Sequence, residues 1–187
     1  MASPEQLIYW LAARQIHEHV FGQKVGGDFA CTGKTYDVQT GAEKTAAILM
    51  SVLSGATTFV NAGMTPSDEV FHFDGTVIDL EILDYAWRAG QGLAWEDVPT
   101  EKIVREGRAE GTFMTHATTA RFREELFDPK VFTREGLNHW LAEGKPTVAA
   151  RAAAIAEERI SGHSYTVDRD VQKELNRIVA IAEKELL

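Results

Sequence analysis

The sequence is poor in cysteine, in basic charge and in long apolar runs. A single cysteine, Cys31, rules out an intrachain disulfide framework and fits a reducing compartment. Lys and Arg total 19 against 28 Asp and Glu, a formal net charge of -9, so the basic stripe of a general nucleic-acid surface is missing. No apolar run approaches the ~20 residues that span a bilayer. The opening MASPEQLIYWLAARQIHEHV lacks the basic start and unbroken apolar core of a signal peptide. These absences lead us to expect a cytoplasmic chain with neither a nucleic-acid nor a membrane partner. What is present is a 44% hydrophobic content over 187 residues, enough for the core of one domain.

Two motifs invite readings that their spacing refuses. GGDFACTGKTYD (Gly26 to Asp37) ends in Gly-Lys-Thr, the tail of a phosphate-binding loop. That loop needs a glycine where this chain has Asp28, and a carboxylate there would repel a polyphosphate. His17 and His19 suggest a metal pair. Two positions apart on a helix they point about 200° from each other and cannot share one ion. No HExxH spacing or cysteine pair helps them, so we expect no protein-bound metal.

Periodicity and punctuation predict the order of elements. Ser3-Pro4 reads as an N-cap followed by proline in the first turn, opening a helix to about Val20 with Leu7, Leu11, Ile16 and Val20 on its buried stripe. KVGGDFAC reads as a strand running into a glycine-rich loop, and Asp37 can cap a helix over VQTGAEKTAAILMSVLS. ATTFVNAG follows as a buried strand. TVIDLEILDYAWRAGQG and PTEKIVREGR look helical, GTFMTH is a candidate strand, and four helical stretches close the chain. The last of them is expected to be capped by Thr166, with Val167, Val171, Leu175, Ile178 and Ala182 forming a stripe. Helix, strand, helix, strand at this spacing indicates parallel βα units in an α/β fold. A complete (β/α)8 barrel takes about 250 residues and eight strands. If the βα units belong to a barrel, this chain is only part of one. Its open strand edges would be covered by its own C-terminal helices, by self-association or by a missing companion polypeptide.

Several segments taken together resemble the trimethylamine methyltransferase family. They are DVQTGAEKTAAILMSVLSGATTFVNAGM, IDLEIL, GTFMTHATTARFREELFDPKVFTREGLNHW and the helical tail, in the same order. The resemblance implies the C-terminal part of a (β/α)8 TIM barrel, with partial barrel βα units over 1–125 and a C-terminal helical extension over 126–187. It implies transfer of a methyl group from a small methylated amine to the cobalt of a cobalamin (corrinoid) carried by a separate corrinoid protein. The family's trimethylamine enzymes carry pyrrolysine, and this sequence has none, which points to a quaternary amine such as a betaine.

In parallel barrels, ligand-facing groups sit at the C-terminal ends of strands. By that rule Gly26, Gly27, Asn61 and Met64 are candidate substrate contacts, and Asp28 can face a cationic ammonium group. The alternative for Asp28 is a turn cap. Gln39 and Glu43, four residues apart, can both face the barrel mouth or both lie on a solvated helix face. His116 is the candidate acid, base or cofactor-side contact, because an imidazole titrates near neutrality; the alternative is a capping or core histidine. Arg121 and Arg123 can anchor a partner's carboxylates or a corrinoid phosphate, or take part in surface ion pairs. Trp87, Trp95, Phe113, Phe127, Phe132 and Trp140 read as packing residues.

Overall fold

A computed structural model describes residues 3–92, 100–114, 119, 122 and 125–186. The chain forms two compact units, Met1–Ala156 and Glu157–Leu187. The first unit is α-rich with a few short strands, an α/β arrangement. In order it holds α1 (Pro4–Phe21), β1 (Gly27–Asp28), α2 (Val38–Leu53), β2 (Phe59–Val60), β3 (Met64–Thr65), β4 (Val70–Phe71), α3 (Phe73–Gly90), α4 (Thr100–Glu110) and α5 (Leu137–Ala142). The unit boundary falls within α6 (Val148–Ser161), and α7 (Arg169–Leu186) belongs to the second unit.

β1 and β2 pair in parallel, with Gly27 opposite Phe59 and Asp28 opposite Val60, and α2 is the crossover between them. The glycines before and within β1 permit this pairing. A Cβ on Gly26 would lie 2.9 Å from the Thr58 carbonyl oxygen, and one on Gly27 would lie 2.5 Å from the Phe59 ring and 2.9 Å from Ser51 Cβ. Local capping sets the N-terminal ends of the unit's first two helices. Ser3 Oγ accepts from Gln6 N at 3.3 Å, and Asp37 Oδ1 accepts from Gln39 N at 2.9 Å and Thr40 N at 3.2 Å. The core gathers Phe29, Ile48, Ile78, Ile82, Ala86, Val131 and Ala152 from β1's end, α2, α3, the 130–132 segment and α6.

The face that α1 turns inward differs from the expected stripe. Leu7 and Leu11 are half-buried, but Ile16 and Val20 are 55% and 68% exposed while Arg14 is buried. Arg14 donates through Nη1 to the Val25 carbonyl and through Nε to the Ser54 carbonyl at 3.0 Å, and it stacks on Trp10 with 5.6 Å to the ring centroid. A guanidinium whose donors meet carbonyls can be buried, and Ile16, two positions on, then points about 200° away.

β3 and β4 form an antiparallel hairpin, Met64 opposite Phe71 and Thr65 opposite Val70, which the sequence pattern did not announce. Its turn places Ser67 and Asp68 at φ 41° and 77° without a glycine. GTFMTH shows no strand over 111–114, and 115–118 lie outside the described residues. Glu81 fastens a distant segment to α3. Its buried Oε1 accepts from the backbone N–H groups of Lys130, Val131 and Phe132, each at 3.0 Å.

In the second unit Asp168, not Thr166, caps α7, accepting from Asp170 N at 2.9 Å and Val171 N at 3.3 Å. A carboxylate one residue before the helix reaches its free N–H groups, whereas Thr166 lies too far upstream. Val171, Leu175 and Ile178 are exposed on this helix. No helix among the described residues is long and apolar enough to cross a membrane.

Removing the Glu81 carboxylate leaves three backbone N–H groups without their acceptor, that of Val131 buried and those of Lys130 and Phe132 partly so. Glu81→Ala is expected to destabilise the fold by roughly 3 kcal/mol. Urea unfolding followed by circular dichroism measures this, and an unchanged midpoint would contradict the anchoring role.

Candidate functional site

Asp28 ends β1, and Asn61 follows the residue paired with it on β2. Asn61 Nδ2 donates to Asp28 Oδ1 at 3.1 Å. Asn61 itself sits in the left-handed region at φ 65°, a conformation that asparagine tolerates better than most side chains. Asp28 also lines a cavity of about 40 Å³ with Gln6, Leu7 and Trp10 of α1, Ala30, and Ala47 and Ser51 of α2. That is room for roughly two or three waters. Burial pushes the Asp28 carboxyl above its ordinary value, and Asp68 pushes in the same direction, while Asn61 and Lys44 pull against them. A half-buried carboxylate favours a cation.

Beneath this lies a buried charge cluster that the sequence pattern did not indicate. Lys44 Nζ and Asp79 Oδ2 are 2.5 Å apart, and both side chains are fully buried. Tyr36 Oη donates to the same oxygen at 3.0 Å and accepts from Lys44 at 2.9 Å. The Gly63 N–H donates to it at 2.7 Å. The Lys44 ammonium also lies 4.7 Å from the centroid of the Tyr36 ring. Burial raises the Asp79 carboxyl above its ordinary value against the pull of Lys44 and of the N–H and O–H donors, and it raises the Tyr36 phenol too. Asp79 Oδ1 is buried and has no hydrogen-bond partner among the described residues. Only the i, i+35 proximity of a lysine and an aspartate could have signalled the pair, and periodicity does not carry that information.

Gln39 and Glu43 come together, one turn apart on α2, over the loop that follows β1. Glu43 accepts from Thr32 N at 2.6 Å, Thr32 Oγ1 at 2.8 Å and Gly33 N at 3.3 Å. Gln39 Nε2 donates to Glu43 Oε1 at 2.9 Å and to Thr32 Oγ1 at 3.1 Å. Burial opposes ionisation of Glu43, but the donors from Gln39, Thr32 and Gly33 outweigh it and hold its pKa below the ordinary glutamate value. Gly26 and Gly27 lie against Thr58, Phe59 and Ser51, and Met64 starts the hairpin with its carbonyl 3.7 Å from Cys31 Sγ. Cys31 is buried, and burial pushes its thiol up, which keeps the nucleophilic thiolate scarce. His116, Arg121 and Arg123 lie outside the described residues, as does Trp95. Among the described residues no group of three or more His, Cys, Asp or Glu side chains is placed to hold a metal ion.

Comparison with known sequences places this arrangement in a family. The pattern that defines trimethylamine methyltransferase matches residues 3–186, and the chain belongs to the trimethylamine methyltransferase family. Among its relatives, trimethylamine methyltransferase MttB of Methanosarcina barkeri is 30% identical over 154 residues, 81% of this chain and 31% of that protein. MttB2 of Methanosarcina mazei is 29% identical over 154 residues, again 81% of this chain and 31% of the relative. MttB of Methanosarcina thermophila is 28% identical over 145 residues, 76% of this chain and 30% of the relative. The chain thus spans about a third of the length of the curated relatives it matches.

Two predictions follow from the electrostatics. Lys44→Met alone leaves Asp79 as an uncompensated buried charge and is expected to destabilise by about 3–5 kcal/mol. Lys44→Met combined with Asp79→Leu is expected to recover most of that loss, as read from denaturation midpoints. Glu43 has a folded pKa below its ordinary value of 4.5, so the unfolded chain takes up its proton first as the pH falls. Its stabilisation is therefore complete above that value and is lost as the pH drops through the lower, folded one. Glu43→Gln should flatten the decline of thermal stability in this acid range, and an unaltered decline would exclude Glu43 as its source.

Proposed function

We propose that this chain is the C-terminal portion or subunit of a corrinoid-dependent methyltransferase. It acts in the cytoplasm, moving a methyl group from a methylated amine, a quaternary one such as a betaine, to a corrinoid protein. The observation that carries this is the Asp28 carboxylate, half-buried at the end of a parallel strand, held by Asn61 and lining a small cavity together with Trp10. The family membership and the parallel β1–α2–β2 unit support residues 1–125 as βα units of a (β/α)8 barrel, with 126–187 as the helical extension.

In this chemistry the corrinoid, when bound to its partner, supplies the nucleophile. The enzyme is left to bind the cation, orient the methyl group and exclude water. Asp28 offsets the positive charge of the amine, and Gln39 with Glu43 holds the loop after β1. The reading gives His116 a role as acid, base or cofactor-side contact, Arg121 and Arg123 one in binding the corrinoid partner, and Gly26, Gly27, Asn61 and Met64 one in binding substrate.

A second reading is a non-catalytic module that self-associates. It is favoured by the exposed apolar Val60, Phe71 and Phe73 at the β2 and hairpin end. Mixing the chain with the companion barrel half and the corrinoid protein separates the two. The methyltransferase expects amine-dependent appearance of the demethylated amine, lowered roughly 10- to 100-fold in kcat/KM by Asp28→Asn. The module expects none across a panel of quaternary amines.

A further inference from the structure

The buried charge cluster and the Asp28 site are joined by a short covalent and hydrogen-bonded path. Asp79 Oδ2, on α3, receives the Gly63 N–H at 2.7 Å. The Gly63 carbonyl in turn accepts from His72 N at 2.9 Å, so this residue is gripped on both sides. It has φ 83°, and a Cβ there would run into Thr76 Oγ1 and lie 2.9 Å from the His72 carbonyl oxygen. Two residues upstream, Asn61 closes the same turn by accepting from Met64 N at 3.2 Å, and its side chain reaches Asp28. Lys44 and Tyr36 fix the Asp79 carboxylate from below.

We infer that Asp79 is a positioning residue for the Asp28 site: by holding Gly63 it sets the Asn61–Met64 turn and keeps the Asn61 amide on Asp28 Oδ1. Asp28 rests on the methyltransferase reading only for its substrate; the path itself does not. The Lys44–Tyr36–Asp79 cluster is therefore more than a staple between helices. Its three donors all converge on Oδ2, and one of them belongs to the backbone of the turn that carries the site. If the cluster relaxes, the Gly63 amide loses its acceptor, the turn is free to shift, and Asp28 loses the donor that favours its ionised form.

The groups bearing on Asp28 define what an experiment must separate. Asp68, from the hairpin turn, raises it; Lys44, from α2, lowers it through space; α1 presents only the neutral Gln6, Leu7 and Trp10. A direct charge effect of Lys44 or Asp79 on Asp28 would act whether or not Asn61 is present. An effect transmitted through the turn requires Asn61.

The test is a double-variant cycle read by carboxyl carbon NMR titration of Asp28 in the full chain. Asn61→Ala is expected to move the Asp28 midpoint up. Asp79→Leu, which removes the acceptor of the Gly63 N–H, is expected to move it up in the unaltered background and to add nothing in the Asn61→Ala background. If Asp79→Leu alone does not fold, Lys44→Met with Asp79→Leu takes its place, since removing both partners avoids a lone buried ion; loss of the Lys44 charge then raises the midpoint alike in both backgrounds, and the excess with Asn61 present is the effect carried by the turn. An Asp28 midpoint indifferent to Asp79, or shifted equally with and without Asn61, overturns the inference. So does free exchange of the Gly63 amide in the unaltered chain, where strong protection is expected. None of these readouts needs methyl transfer, so their failure is distinguishable from failure of the methyltransferase reading.

Discussion

The first unit is organised around one buried ion pair. Lys44 and Asp79, 2.5 Å apart and closed off from solvent, tie α2 to α3, and through Tyr36 and Gly63 they tie both helices to the loop before α2 and the turn after β2. Burying two charges is unfavourable unless each finds partners, and here the donors converge on a single carboxylate oxygen. An apolar pair of similar volume could hold the helices equally well. It could not hold a backbone amide. What the ion pair adds is orientation, because only a carboxylate or amide acceptor placed there fixes Gly63.

Around that pair the chain alternates between positions where polar groups replace expected apolar ones and positions where the apolar pattern holds. Arg14 satisfies the carbonyls of Val25 and Ser54 on the inward face of α1, and Glu81 gathers three N–H groups on α3. In each case a buried charged side chain takes the place of secondary-structure hydrogen bonding for irregular backbone. The parallel pair β1–β2 is only two residues long, so side chains rather than ladders bind the loops near the site.

What could be read in advance was local. The caps at Ser3 and Asp37 and the run of α2 follow from spacing within a few residues, and the structure shows each of them. The parallel alternation was also legible, since a crossover helix between two short β-branched or glycine-bounded segments leaves few other choices. The misses share one cause. Arg14, Lys44, Asp79 and Glu81 look like surface residues to any periodicity argument, and only their distant partners make burial affordable. The β3–β4 hairpin was hidden because its turn puts Ser67 and Asp68, not glycine, in the left-handed region. Asp28 and Asn61 were singled out separately from their places at strand ends, while the bond between them belongs to the tertiary register.

The Glu81 anchor also bears on how this region can change in length. By holding Lys130, Val131 and Phe132 against α3, it closes the chain between positions 81 and 130 into a loop whose two ends are fixed by side-chain chemistry rather than by a sheet. The entropy of closing such a loop grows only logarithmically, about 0.6 kcal/mol for each doubling. Closure entropy therefore sets little limit on the length of this connection; what limits it is packing, since Ile82 and Ala86 of α3 lie in the core and Arg88 donates to the Glu125 carbonyl. The path from Asp79 through Gly63 and Asn61 to Asp28 lies wholly outside that span.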